Sequence, residues 1–147
     1  MSVWFAGENE VGCDLAKVRQ TFDDPGKHYV GVVGLMPGLT SVELVESGSD
    51  FVTIRTNEGI MKRTSIRKRV EADRLVVELD EVYEAGSRVT VTGHFSDEFT
   101  TTGTGVNHRL VISDVEAPGL LGSLYRRFGG KKMGNALLAA HKAYLET

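Results

Sequence analysis

The feature that most constrains the fold is a change in hydrophobic period near residue 39. From Leu39 to Ser113, apolar and polar residues alternate with a period of two, in six runs separated by loops of Ser, Gly, Asn, Asp and Glu. Such alternation is typical of half-buried strands, and short polar loops between the runs indicate antiparallel hairpins. The runs are TSVELVE, FVTIRT, IMKRTSIRKRV, RLVVELDEV, RVTVTGHF and VNHRLVIS. This part of the chain therefore predicts a meander with one apolar face.

The turn Asn57-Glu58-Gly59 is expected to set the register of the sheet. A three-residue hairpin loop with glycine at the positive-φ position would place Thr56 opposite Ile60. A four-residue turn over Glu71–Arg74 follows. This register predicts an apolar face made of Val52, Ile54, Thr64, Ile66, Val70, Leu75, Val77, Leu79, Val89, Val91, Phe95, Val106, His108, Leu110 and Ile112. It predicts a solvated face made of Arg63, Arg67, Arg69, Glu78 and Asp80.

Helical periods flank the meander on both sides. A short strand over residues 2–6 precedes a predicted helix from Val11 to Phe22, and a weaker, glycine-containing helix runs from Gly26 to Met36. Beyond Ala117 there are two apolar stripes whose faces do not align, so a kink or break is expected at Gly129-Gly130. The stripes are Leu120, Leu121, Leu124, Tyr125 and Phe128, then Met133, Leu137, His141 and Tyr144.

Composition narrows the class of protein. At 147 residues, 41% hydrophobic and 25% charged, the chain is expected to form one domain over residues 1–147. A net charge of -3 gives no support for nucleic-acid binding. The single cysteine and the scattered histidines lack the spacing of a zinc site, so the sequence predicts neither a metal nor a cofactor. With no signal-peptide pattern and no long apolar run, we expect a cytoplasmic monomer or homodimer without membrane insertion.

Two segments resemble the helix-grip superfamily, which includes START-like proteins and polyketide cyclases/dehydrases. The segment DDPGKHYVGVVGLMPGLTSVELVE is similar to its helix-to-strand passage, and GLLGSLYRRFGGKKMGNALLAAHKAYLE is similar to its terminal helix. The resemblance implies an α+β fold in which a curved antiparallel sheet of about seven strands wraps a long C-terminal helix, with two short helices after the first strand. It also implies a cavity between sheet and helix.

The first functional hypothesis is a binding module for a hydrophobic small molecule or lipid-like ligand held in that cavity. Alternation and the resemblance together give the candidate ligand-binding residues. They are Val33, Met36, Ile54, Thr64, Ile66, Val77, Leu79, Val91, Phe95, His108, Leu110, Leu124, Phe128, Leu137 and His141.

Two alternatives remain open. One is a cyclase or dehydratase that uses the same cavity, with His108 moving a proton. The alternative role of His108, and of His141 on the last helix, is purely structural, as a core histidine whose polar atoms have partners. The other is a protein-interaction module that uses the basic strand around Arg63, Arg67 and Arg69. Cross-strand pairing with Glu78 and Asp80 on a solvated face is the better explanation of these charges.

Overall fold

The computed structural model describes residues 2–86 and 89–147, apart from the side chain of Phe128. Within these residues the strands are β1 (Val3–Val11), β2 (Val42–Ser47), β3 (Val52–Thr56), β4 (Gly59–Val70), β5 (Arg74–Ala85), β6 (Val89–Thr101) and β7 (Val106–Glu116). The helices are α1 (Leu15–Thr21), α2 (Pro25–Val33), α3 (Gly119–Phe128) and α4 (Gly130–Leu145). The strands form one antiparallel sheet in the order β1-β7-β6-β5-β4-β3-β2. The predicted α+β helix-grip arrangement is confirmed.

The helices cover the apolar face of the sheet, and α4 packs closely against β1. A Cβ atom built at Gly134 would lie 2.2 Å from the ring of Phe5, well inside van der Waals contact. Glycine at this position therefore allows the aromatic ring to lie directly on the helix backbone. Leu137, Leu138 and Leu145 of α4 join the same buried core.

The first helix begins later than the sequence predicts, because Val11 completes β1. Helix α1 is capped by Asp14, whose side chain accepts a hydrogen bond from the backbone N–H of Lys17. A side-chain oxygen that satisfies a free N–H group of the first turn is the usual signal for a helix start. The predicted apolar positions, Val11 and Phe22 among them, are nevertheless buried.

The predicted register of the β3–β4 hairpin is wrong by one residue. Ile60 pairs with Arg55 instead of Thr56, so the loop has four residues, Thr56 to Gly59. The hydroxyl oxygen of Thr56 accepts hydrogen bonds from the N–H groups of Glu58 and Gly59, at 3.1 and 3.2 Å. Thr56 therefore belongs to the turn, because its side chain satisfies the turn's backbone donors.

This shift exchanges the two faces of the first half of β4. Met61 and Arg63 point inward and are buried, whereas Thr64 is exposed. Our assignments of Thr64 to the apolar face and of Arg63 to the solvated face are both wrong, since a one-residue shift moves every side chain to the opposite face. Val70, at the far end of the strand, is also exposed and does not join the apolar face.

A bulge corrects the phase further along β4. The pairing with β5 shifts between Thr64 and Arg67, and Ser65 lies in the left-handed region with φ 53°. One extra residue in β4 reverses the alternation, so Ile66 returns to the buried face. The predicted inward position of Ile66 is thus correct, although it is reached through the bulge.

The C-terminal helix is broken at Gly129-Gly130, as predicted, but α3 buries a different face. Leu120, Leu121 and Leu124 are exposed, Leu120 by 79%. The ring of Tyr125 stacks on Trp4 at a centroid distance of 5.4 Å, and Nε1 of Trp4 donates to the carbonyl of Arg126 at 2.6 Å. These two contacts turn the Tyr125 side of α3 toward the sheet and its leucines outward.

Among the described residues, none of the helices combines the length and the apolar character that crossing a membrane requires.

Candidate functional site

A narrow cavity lies between the apolar face of the sheet and the helices. The space open to the centres of water-sized molecules is about 60 Å³, which is room for roughly four to six waters at 10–15 Å³ each. Its described lining consists of Trp4, Val33, Met36, Pro37, Leu39, Glu58, Met61, Arg63, Glu81, Tyr83, Val91, Thr92, Gly93, Phe95, Ile112, Val115, Tyr125, Met133 and Leu137. Most of these side chains are apolar or aromatic, as in cavities that bind small organic molecules.

A buried ion pair interrupts this apolar lining. Nε and Nη2 of Arg63 each lie 2.8 Å from the same carboxylate oxygen of Glu81, and the Arg63 side chain is only 2% exposed. The guanidinium also lies over the rings of Tyr29 and Phe95, at 4.7 and 5.0 Å from their centroids. Burial works against the charged form of Arg63, but the adjacent Glu81 raises its pKa. The cavity wall therefore carries a fixed, neutralised pair of charges.

Polar side chains continue from this pair along the wall. The hydroxyl of Tyr83 donates to Glu58 at 3.2 Å and lies 3.3 Å from the hydroxyl of Thr56. Burial raises the pKa of Tyr83, so its hydroxyl stays protonated at neutral pH. The cavity thus combines an apolar body with hydrogen-bonding groups supplied by β4, β5 and the loop that joins β3 to β4.

A second polar group lies deeper in the core. Nε2 of His108 is 2.6 Å from Oδ1 of Asp97, and Nε2 of His141 is 3.9 Å from the same oxygen. The ring of His28 packs beside His141 at 5.4 Å between centroids, and Phe99 stacks on His108 at 4.3 Å. We call Asp97, His108 and His141 the core triad.

Burial sets the protonation states around the core triad. Burial would raise the pKa of Asp97, but the hydrogen bond from His108 and the nearby His141 hold that pKa below its usual value. Burial lowers the pKa of His141 well below its usual range and lowers that of His28 to about 3. Asp97 is therefore ionised at neutral pH, and His28 and His141 are neutral.

The structure brings some of the predicted site residues to the cavity and leaves others elsewhere. Val33, Met36, Val91, Phe95 and Leu137 line it. Ile54, Ile66, Val77, Leu79 and Leu110 are buried in the core but are not among the described lining residues. Thr64 is exposed for the register reason given above, and Leu124 is exposed because α3 turns its leucines outward. The side chain of Phe128 lies outside the described part of the structure.

His108 and His141 are buried in the core triad, and neither is among the described residues that line the cavity. The cyclase hypothesis needs His108 to reach a substrate there. In this arrangement the imidazole faces Asp97 instead, with Phe99 stacked on its ring.

Sequence reasoning missed the polar part of the site. Asp97 continues the inward alternation from Val91 through Phe95 to Phe99, so extending the fifth run, RVTVTGHF, would have found it. Arg63 was placed on the wrong face by the hairpin register. Trp4 and Tyr125 come from the two ends of the chain, and no local pattern indicates that they meet.

The basic strand does not present its three arginines as one surface. Arg63 is buried against Glu81, whereas Arg67 and Arg69 face acidic residues on the outside, Glu78 at 3.8 Å and Glu71 at 3.2 Å. Exposed pairs of this kind contribute little to stability. The acidic partners explain these charges within the chain.

Comparison of the fold with known structures decides the fold class. The STAR-related lipid transfer protein from Xanthomonas axonopodis matches with a TM-score of 0.60 and 14% identity, covering 97% of this chain and 85% of that one. The Zhui aromatase/cyclase from Streptomyces sp. R1128 matches with a TM-score of 0.57 and 17% identity, covering 97% and 92%. The chain has the helix-grip fold. The structure of Ara h 8.0201 agrees, with a TM-score of 0.56 and 16% identity over 96% and 95%.

The START-like resemblance inferred from sequence is thus confirmed at the level of the fold. No family model matches the chain, and no curated protein matches it in sequence.

Proposed function

We propose that the protein binds a mostly apolar small molecule, such as a lipid-like or polycyclic compound, in the cavity between the sheet and the C-terminal helices. The observation that carries the proposal is the cavity lining, in which aromatic and aliphatic side chains surround one buried ion pair, Arg63 and Glu81. Burying apolar ligand surface supplies affinity at roughly 25 cal/mol per Å². The fold supports the proposal, since a named lipid transfer protein shares it.

The polar wall restricts the kind of ligand. Arg63 is already neutralised by Glu81, so a ligand carboxylate would have to compete with an ion pair at 2.8 Å. A neutral hydroxyl, carbonyl or amide can bond to the pair without separating it. The proposed ligand therefore has an apolar body and one neutral hydrogen-bonding group.

Ligand entry requires α3 to move. The present cavity holds only a few waters, whereas small-molecule sites usually enclose about 300–1,000 Å³. The N-terminus of α3, at Pro118, is not capped by a side-chain hydrogen bond. All three leucines of the helix already face solvent. An outward displacement of α3 would enlarge the cavity at the Tyr125 side while leaving the sheet intact.

The direct test is native mass spectrometry of the protein purified from cells, combined with titration of a fluorescent hydrophobic dye. We expect a co-purified apolar molecule, or saturable dye binding that an alcohol with a long alkyl chain displaces. A protein that carries no such molecule and also fails to bind the dye would overturn the proposal.

A further inference from the structure

Three metal-ligating side chains converge in the core, outside the cavity lining. Asp97 comes from β6, His108 from β7 and His141 from α4, and their exposed fractions are 2%, 0% and 2%. Each offers one ligand atom, and these atoms all lie within 4.8 Å of one another. Residues 97, 108 and 141 are too far apart in sequence for a spacing motif, so the sequence alone did not predict a metal.

We propose that the core triad binds a divalent transition metal ion, with Zn²⁺ as the best match, and that the ion ties α4 to the sheet. Two imidazoles and one carboxylate are ligands that Zn²⁺ accepts. The site is independent of the proposed ligand, because the triad is not among the described residues that line the cavity.

The distances are close to those of a metal site. Bonds of about 2.0–2.2 Å in a tetrahedral arrangement place the ligand atoms about 3.3–3.6 Å apart. Around Oδ1 of Asp97 the observed distances are 2.6 Å to His108 and 3.9 Å to His141, one shorter and one longer than this range. An ion between the three groups would lengthen the first and shorten the second by small side-chain rotations.

The ligand atom of His141 makes no hydrogen bond to the carboxylate of the triad. Nε2 of His141 lies 3.9 Å from Oδ1 of Asp97, which is beyond hydrogen-bond distance. An ion placed between these two atoms would therefore not have to displace a hydrogen bond of that pair.

Ligation would set the protonation states of the triad. Metal ligands must be deprotonated, so Asp97 would bind as a carboxylate and both histidines as neutral imidazoles. His108 would give its Nε2 lone pair to the ion and carry its ring proton on Nδ1. The nearby guanidinium of Arg63 would repel a cation, but Glu81 neutralises it at 2.8 Å.

The test loads the full chain with Zn²⁺ alone. Protein stripped by a chelator is unfolded and refolded with Zn²⁺, because a fully buried site needs an opening for the ion to enter, and it is then desalted. We expect about one Zn²⁺ retained per chain, with retention at least about 100-fold weaker in His141→Gln. His94→Gln is the matched control, since His94 lies on the outer face between Asp80 and Glu78 and would supply a rival surface site.

A second measurement does not depend on variants that fold. Imidazole nitrogen NMR of the wild-type protein should show Zn²⁺-induced shifts for His108 and His141, with the signals of His94 unchanged. Shifts confined to His94, or a protein that refolds with no retained zinc and no imidazole shifts, would overturn the proposal.

Discussion

Nε2 of His108 lies 2.6 Å from Oδ1 of Asp97, and both side chains are almost entirely withdrawn from water. A second aspartate–histidine contact, Asp80 with His94 at 2.9 Å, occurs on the outer face of the same sheet, where Asp80 is 54% exposed. The protein therefore contains the same pair of groups in a dry and a wet environment. The two pairs allow the effect of burial to be measured within one fold.

Replacing Asp97 by Ala should lower the free energy of unfolding by about 1–3 kcal/mol, because it leaves the buried Nε2 of His108 without its hydrogen-bond partner. Asp80→Ala should cost less than about 1 kcal/mol, since its pair with His94 is solvated. Urea titration of both variants at pH 7 checks this. Equal costs in the two variants would show that burial does not govern the Asp97–His108 pair.

Acid should destabilise the metal-free protein through His28. An unfolded histidine takes up a proton near pH 6.5, whereas burial lowers the pKa of folded His28 to about 3. The unfolded state thus binds more protons between these values, so stability falls as the pH drops through 6.5. From pH 7.5 to 5.0 this residue alone should cost about 2 kcal/mol.

The measurement for His28 is a difference between two proteins. His94 acts in the opposite direction, because hydrogen bonds to Asp80 and Glu78 outweigh its burial and raise its pKa. Comparing wild type with His28→Leu by urea titration, in the presence of a chelator, cancels that contribution. If both proteins lose the same stability on acidification, His28 is not the buried neutral group that the structure describes.

The ion pair Arg63–Glu81 should behave as one unit. Glu81→Gln leaves the buried guanidinium uncompensated and should cost about 3–5 kcal/mol, whereas Arg63→Met combined with Glu81→Leu should recover much of that loss. The control is Glu43→Gln, which breaks an exposed pair with Arg55 at 3.8 Å and should cost under about 1 kcal/mol. A double variant no more stable than Glu81→Gln would contradict this coupling.

Filling the cavity should prevent binding without unfolding the protein. Val91→Trp places a large ring at the cavity wall and should weaken binding of a hydrophobic dye about tenfold or more, or about 1.4 kcal/mol. Val70→Trp adds the same ring at an exposed position and should leave affinity unchanged. Fluorescence titration of both variants checks the proposal, and an unaffected Val91→Trp would place the dye elsewhere.

The six-stranded meander, the helix break and most of the buried aliphatic positions could be predicted from the sequence, because each depends on a local period or a turn residue. The inward positions of Ile54, Val77, Phe95 and Leu110 follow from alternation alone. The face of Arg63 could not be predicted, because it depends on the hydrogen bonds of the Thr56 side chain within the turn. The conformation of this turn sets the register that directs Arg63 toward the cavity.

The core triad and the contact of Trp4 with Tyr125 lay beyond prediction for a different reason. Their members come from separate elements, and their encounter depends on how α3 and α4 sit on the sheet. Tertiary packing determines such long-range contacts, and no local pattern in the sequence indicates them. The contacts between these side chains therefore became visible only in three dimensions.

The bulge at Ser65 divides β4 into two halves, and the alternation of inward and outward residues is reversed from one half to the other. Odd positions face inward before it and even positions after it, so Arg63 and Ile66 can both be buried. If one residue were deleted there, Arg63 and Ile66 could not both face inward. A change of chain length at this position could therefore replace the polar part of the cavity wall by an apolar one.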